Sequence, residues 1–189
     1  LDADQLERLQ ERIGADAAVR QSLPAGKVLV TAAEPGALRD FARLVGRLPG
    51  ATLAPSVLAG HLDLERLGPI GEIDFDGGLR IELIYLPHGE SSAPVWELAG
   101  YGGLATLFLL DGRVSQAAQE LRPMFKCVSA VPRARTFHVA LLPKADPTCA
   151  DSLREALEEI DEASLFLLPL ESGKPAVSLL RGLFSRIVQ

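Results

Sequence analysis

Apolar residues along this chain follow two rhythms, short near-continuous runs and a spacing of three and four, and the two alternate from end to end. The first is the signature of buried strands and the second of amphipathic helices. Leu6, Leu9, Ile13 and Val19 stand at helical spacing among charges, which predicts an amphipathic helix over residues 2–22 that breaks near Gly14. Leu23-Pro-Ala-Gly26 punctuates the chain before a strand at Val28–Thr31. A helix over Gly36–Leu48 then turns Leu38, Phe41, Ala42, Leu44, Val45 and Leu48 inward and stops before Pro49-Gly50. From Ala51 to Pro69 the pattern is loop-like. Ile70–Phe75, Asp76-Gly77-Gly78 and Leu79–Leu86 read as a hairpin, alternating strands around a turn that calls for positive φ.

Beyond the hairpin the alternation is regular. It predicts a helix near Ser92–Gly100, a strand Leu104–Leu110, a helix near Ser115–Phe125 and a strand Thr136–Leu142. A helix across Ala150–Ile160, a strand Ser164–Leu170 and a helix Ala176–Val188 complete the chain. Six strands with intervening helices, apolar through the central strands, predict an α/β fold with a mostly parallel sheet covered on both faces and one antiparallel hairpin strand. The division expected is a linker helix over 1–26 and one domain over 27–189.

Composition narrows the function classes. With 189 residues, 48% of them hydrophobic, there is material for one well-packed core. A formal net charge of −6 without a Lys/Arg run argues against nucleic acid or an anionic membrane surface as the partner. No apolar run approaches the ~20 residues that span a bilayer, so membrane insertion is not expected. Cys127 and Cys149 fit no metal spacing and read as reduced thiols of a cytoplasmic protein. The chain opens on Leu1 and its single methionine is Met124, as expected of a piece cut from a longer protein.

The residues with chemical potential sit where strands meet helices. Thr31-Ala-Ala-Glu-Pro-Gly36-Ala37-Leu38 joins the first strand to its helix, the place where α/β proteins bind phosphate. Gly71-Glu-Ile-Asp-Phe-Asp-Gly-Gly78 leads through Leu86-Pro-His-Gly89-Glu90 to Trp96-Glu-Leu98 and Gly100, followed by Leu107-Phe-Leu-Leu-Asp111. This order and spacing resembles the Ras-like small GTPases, most closely the bacterial gliding-polarity type. There an Asp-Gly hairpin leads into a switch segment, a Trp-bearing helix and a strand ending in Asp. The resemblance covers about residues 27–188 and implies a three-layer, P-loop-NTPase-like domain.

The resemblance also locates what is missing. Against the phosphate loop G-x-x-x-x-G-K-[ST], Thr31 stands at the first Gly, Gly36 at the second, Ala37 at the Lys and Leu38 at the metal-binding hydroxyl. Thr31 adds a Cβ and Pro35 removes an amide, which weakens the anion cradle further. Against D-x-x-G, Leu86 replaces the metal-anchoring Asp, Gly89 persists, and Glu90 stands where a Gln would position water. Against the base-reading N-K-x-D, Pro143-Lys144-Ala145-Asp146 keeps Lys and Asp and loses Asn, and Ser172-Gly173-Lys174 falls where a closing S-A-K would. Phosphoryl transfer is stabilised by positive charge and positioning, so these losses point to a degenerate domain that does not hydrolyse GTP.

The expectation is therefore a non-catalytic module without cofactor or metal, binding a protein partner such as a regulator of the kind that engages bacterial small GTPases. His88, Val95, Trp96 and Tyr101 are its candidate contact surface, with Trp96 alternatively a core residue. The rival is a guanine-nucleotide-binding enzyme with an atypical phosphate loop, for which Lys144 and Asp146 would hold the base. A response-regulator receiver fails in detail, since Tyr85-Leu86-Pro87 lacks a phospho-accepting Asp and a sixth strand is left over. His138 reads as a core histidine, Asp74 and Asp76 as hairpin residues, and Glu155–Glu162 as a solvated helix face or a site for a basic partner.

Overall fold

A computed structural model describes residues 25–61, 65–75, 78–111, 114–133, 135–143 and 164–189. The expected helices over 2–22 and 150–160 lie outside the described residues, as do Cys149 and the acidic stretch 155–162.

Among the described residues seven strands form one sheet in the order β2-β3-β4-β1-β5-β6-β7. They are β1 Ala25–Ala32, β2 Ala51–Leu53, β3 Gly68–Phe75, β4 Leu79–Tyr85, β5 Ala105–Leu110, β6 Thr136–Leu142 and β7 Leu165–Pro169. β1 pairs in parallel with β4 and β5, and β5, β6 and β7 continue in parallel. β3 is antiparallel to both β4 and β2. The helices are α1 Pro35–Val45, α2 Pro55–Leu58, α3 Ala93–Gly100, α4 Val114–Ser129 and α5 Lys174–Val188.

The sheet has one strand more than expected. β2 lies in the stretch read as loop, and α2 follows it as a single turn. Two glycines bring β2 onto β3. Gly50 takes φ +77, and a Cβ there would lie 2.6 Å from the Asp74 carbonyl oxygen; a Cβ on Gly71 would lie 2.5 Å from the Thr52 carbonyl oxygen. Only residues without a side chain permit this approach.

Strand alternation sorts the interior into two layers. Val28, Val30, Ile81, Leu83, Leu107 and Val139 pack against α1 and α5, through Leu38 and Phe41 on one helix and Leu180 and Phe184 on the other. Leu29, Leu86, Phe108, Leu110 and Ala140 pack against α3 and α4, through Trp96, Leu121 and Met124. β5 is buried at every position and β6 at all but its first residue, as strands covered on both faces must be. Pro35 opens α1, where its missing N–H costs nothing and its fixed φ suits the first turn.

Candidate functional site

The first junction is tight. β1 runs to Ala32, Ala33 and Glu34 turn the chain, and α1 begins at Pro35. Glu34 is extended at φ −116, ψ 136 and makes no capping bond to the helix. Ala37 and Leu38, which the resemblance sets against a phosphate-loop Lys and hydroxyl, are 2% and 0% exposed within the α1 layer. Gly36 is exposed, and a Cβ there would meet nothing within 4 Å, so packing does not require the glycine. Thr31 is fully buried on β1 and its Oγ1 has no hydrogen-bond partner.

The second junction is filled as well. Leu86 is 0% exposed, packs with Leu29, Trp96 and Phe108, and donates its amide to the Val30 carbonyl at 2.8 Å. An apolar side chain therefore stands where the resemblance sets a metal-anchoring carboxylate, beside the strand that carries Thr31. Gly89 and Glu90 are exposed, with Glu90 opening a single 3-10 turn over Glu90–Ser92. His88 is half-buried with its Nδ1 unpartnered.

Of the two places expected for Trp96, core and contact surface, the residue takes the first. It is 4% exposed, and its indole Nε1 donates to the Pro87 carbonyl at 2.9 Å. A buried indole needs one such partner, and here that bond ties α3 to the segment after β4. Val95 and Tyr101 do face outward, at 42% and 51% exposure, and Leu98, missed by sequence reasoning, joins them at 70%. The spacing of three puts Val95 and Leu98 on adjoining parts of the helix surface, and Tyr101 follows the helix as its extended C-cap. Lys144 and Asp146 lie outside the described residues, so the two halves of the expected nucleotide region are not brought together within them. Gly173, at φ +45, starts α5 as its N-cap, and Lys174 is exposed.

Two groups titrate away from their usual ranges. Burial pushes His138 down to about 4 and Tyr85 up to about 12. His138 stacks on Phe108 at 5.2 Å and meets Phe125 edge-on at 5.0 Å, with its Nδ1 unpartnered. These surroundings fit a core residue. Among the described residues no group of three or more His, Cys, Asp or Glu could hold a metal ion, and no helix is long and apolar enough to cross a membrane. Cys127 is exposed with a free thiol.

A second feature escaped the sequence reading. Antiparallel pairing sets Glu72 opposite Glu82, Asp74 opposite Arg80 and Pro69 opposite Ile84. The Arg80 Nε lies 3.4 Å from Asp74 and 3.8 Å from Glu72, so Asp74 serves a cross-strand ion pair rather than the turn alone. A groove of about 470 Å³ opens beside these pairs, walled by Leu53, Pro55, Leu67, Pro69 and Ile84. The alternation of Leu79–Leu86 contained the signal, since it puts Arg80, Glu82 and Ile84 on one face. Which residues of β3 stand opposite them depends on register.

No family model matches the chain, and no curated protein matches it. Among solved structures it is similar to a bacterial selenocysteine-specific elongation factor, EF-Sec, at 17% identity and a TM-score of 0.55. The match takes in 88% of this chain and 28% of that one. The likeness is one of fold, between this chain and a minor part of a longer protein.

Proposed function

We propose that this chain is a Ras-like domain that has lost nucleotide hydrolysis and serves as a protein-interaction or scaffolding module of a larger bacterial signalling, polarity or motility protein. One observation carries the reading. Ala37, Leu38 and Leu86 are packed into the two core layers at the positions where the family resemblance places the phosphate-binding Lys, the metal-binding hydroxyl and the metal-anchoring carboxylate. Charge-assisted bonds to phosphate and Mg²⁺ cannot be made by these side chains. The biological setting comes from the resemblance alone. Val95 and Leu98 on α3, with Tyr101 just after it, supply exposed apolar surface fit for a protein partner, with Trp96 anchoring the helix from behind. His88 borders that helix on the same segment.

A second reading, a guanine-nucleotide-binding enzyme with an atypical phosphate loop, draws on the fold likeness to the elongation factor and on Lys144 and Asp146. Calorimetric titration of the protein with GTP and with GDP, with and without Mg²⁺, decides between the two. The module reading expects no Mg²⁺-dependent binding heat. Saturable binding of GTP that requires Mg²⁺ would sink it, and release of phosphate from the bound GTP would install the enzyme.

A further inference from the structure

We propose that the groove over β3 and β4 takes an extended segment of a partner protein in which an apolar residue and a Lys or Arg stand two positions apart. The proposal rests on the interaction-module reading and gives that module a second contact, distinct from the α3 surface. Glu72 and Glu82 face each other across an antiparallel pair, an arrangement in which like charges oppose folding. Arg80 is shared between Glu72 and Asp74, so this guanidinium answers two of the three carboxylates, and the Glu82 carboxylate has no ion-pair partner among the described residues. A cation delivered between Glu72 and Glu82 relieves this repulsion, which a small apolar ligand cannot do.

The walls decide what accompanies the cation. Pro69 and Ile84 form the next cross-strand pair along the same face, and Leu67, 56% exposed, stands at the rim. Along β4, Glu82 and Ile84 are alternate residues about 6.7 Å apart, the repeat that separates alternate side chains of an extended segment, while on β3 an irregularity between Pro69 and Gly71 sets Pro69 three residues from Glu72. A segment laid along the strands therefore sets its apolar side chain on Pro69 and Ile84 as its cation reaches the two glutamates. At about 470 Å³ the groove admits a few side chains. A second copy of this chain, at net charge −6, and a nucleic acid both bring the wrong sign.

The test uses the full chain and a fluorescein-labelled peptide with leucine, arginine and leucine at alternate positions, followed by fluorescence anisotropy. A companion peptide has glutamate in place of arginine. The arginine peptide should bind saturably, weaken as salt rises, and lose about tenfold in affinity with Glu82→Gln, an exposed substitution that leaves the core intact. The glutamate peptide should not bind. Equal binding of the two peptides, or an affinity unchanged in both Glu82→Gln and Glu72→Gln, overturns the proposal. So does an octylamine competitor that binds as tightly as the peptide, or self-association by sedimentation that Glu82→Gln abolishes. If Leu98→Ser removes peptide binding and Glu82→Gln does not, the groove is refuted while the interaction-module reading stands, and the nucleotide titration tests that reading separately.

Discussion

His138 shows how a single side chain links burial to behaviour in solution. It sits between Phe108 and Phe125, and burial holds its pKa near 4 against a usual value of 6.5. A histidine harder to protonate when folded leaves stability untouched above pH 6.5. As pH falls from 6.5 toward 4, the unfolded chain takes up the proton first and the fold weakens. Between pH 7.5 and pH 5 this group should remove about 2 kcal/mol, read from urea unfolding at each pH, and His138→Leu should flatten that part of the profile. The sequence already showed that His138 lies in an apolar strand; its aromatic neighbours come from β5 and α4 and only the fold assembles them. Leu38 and Leu86 carry the same lesson. Their apolar nature is plain in the sequence, while their burial in opposite layers on either side of β1 and β4 appears only when the strands pair.

At the scale of elements, the ends of helices are held from a distance. Arg135 donates from Nη1 to the Ile187 carbonyl at 2.9 Å and from Nη2 to the Arg186 carbonyl at 2.8 Å, closing the end of α5 from the residue before β6. Its guanidinium also lies 5.6 Å from the centre of the Phe137 ring. A cation at a helix C-terminus satisfies carbonyls that have no partner within the helix and complements the helix dipole. Arg135→Ala should lower stability by about 1–2 kcal/mol in thermal or urea unfolding, and Arg135→Lys should recover only part, because an ammonium lacks the planar fork. Helix and strand types along the described chain were legible from periodicity, and β6 falls on Thr136–Leu142 as expected. β2 was not legible, since a strand of three residues offers too few positions for a period. Its existence depends on Gly50 and Gly71 meeting β3, residues that in the sequence read only as breaks.

For the whole molecule, the two apolar layers cover opposite faces of the sheet at its centre and thin toward the β2 edge. β1, β5 and β6 are covered on both faces, whereas β2 is short, at the sheet margin, and only partly buried. Hydrogen–deuterium exchange should accordingly find the slowest amides in β5, β6 and the middle of β1 and the fastest sheet amides in β2, because opening the centre exposes both layers at once. The α/β class, the hairpin and the alternation of strands with helices were determined by the sequence alone, through local periodicity and turn residues that act within a few positions. So was the absence of a Lys, hydroxyl or carboxylate at Ala37, Leu38 and Leu86, which is a matter of residue identity. Only the tertiary structure decided that Trp96 turns inward to Pro87, that Leu98 turns outward, and that Glu72 stands against Glu82 beside a groove. Each of these depends on register or on which face meets which neighbour, and both are settled by contacts between segments far apart in the chain.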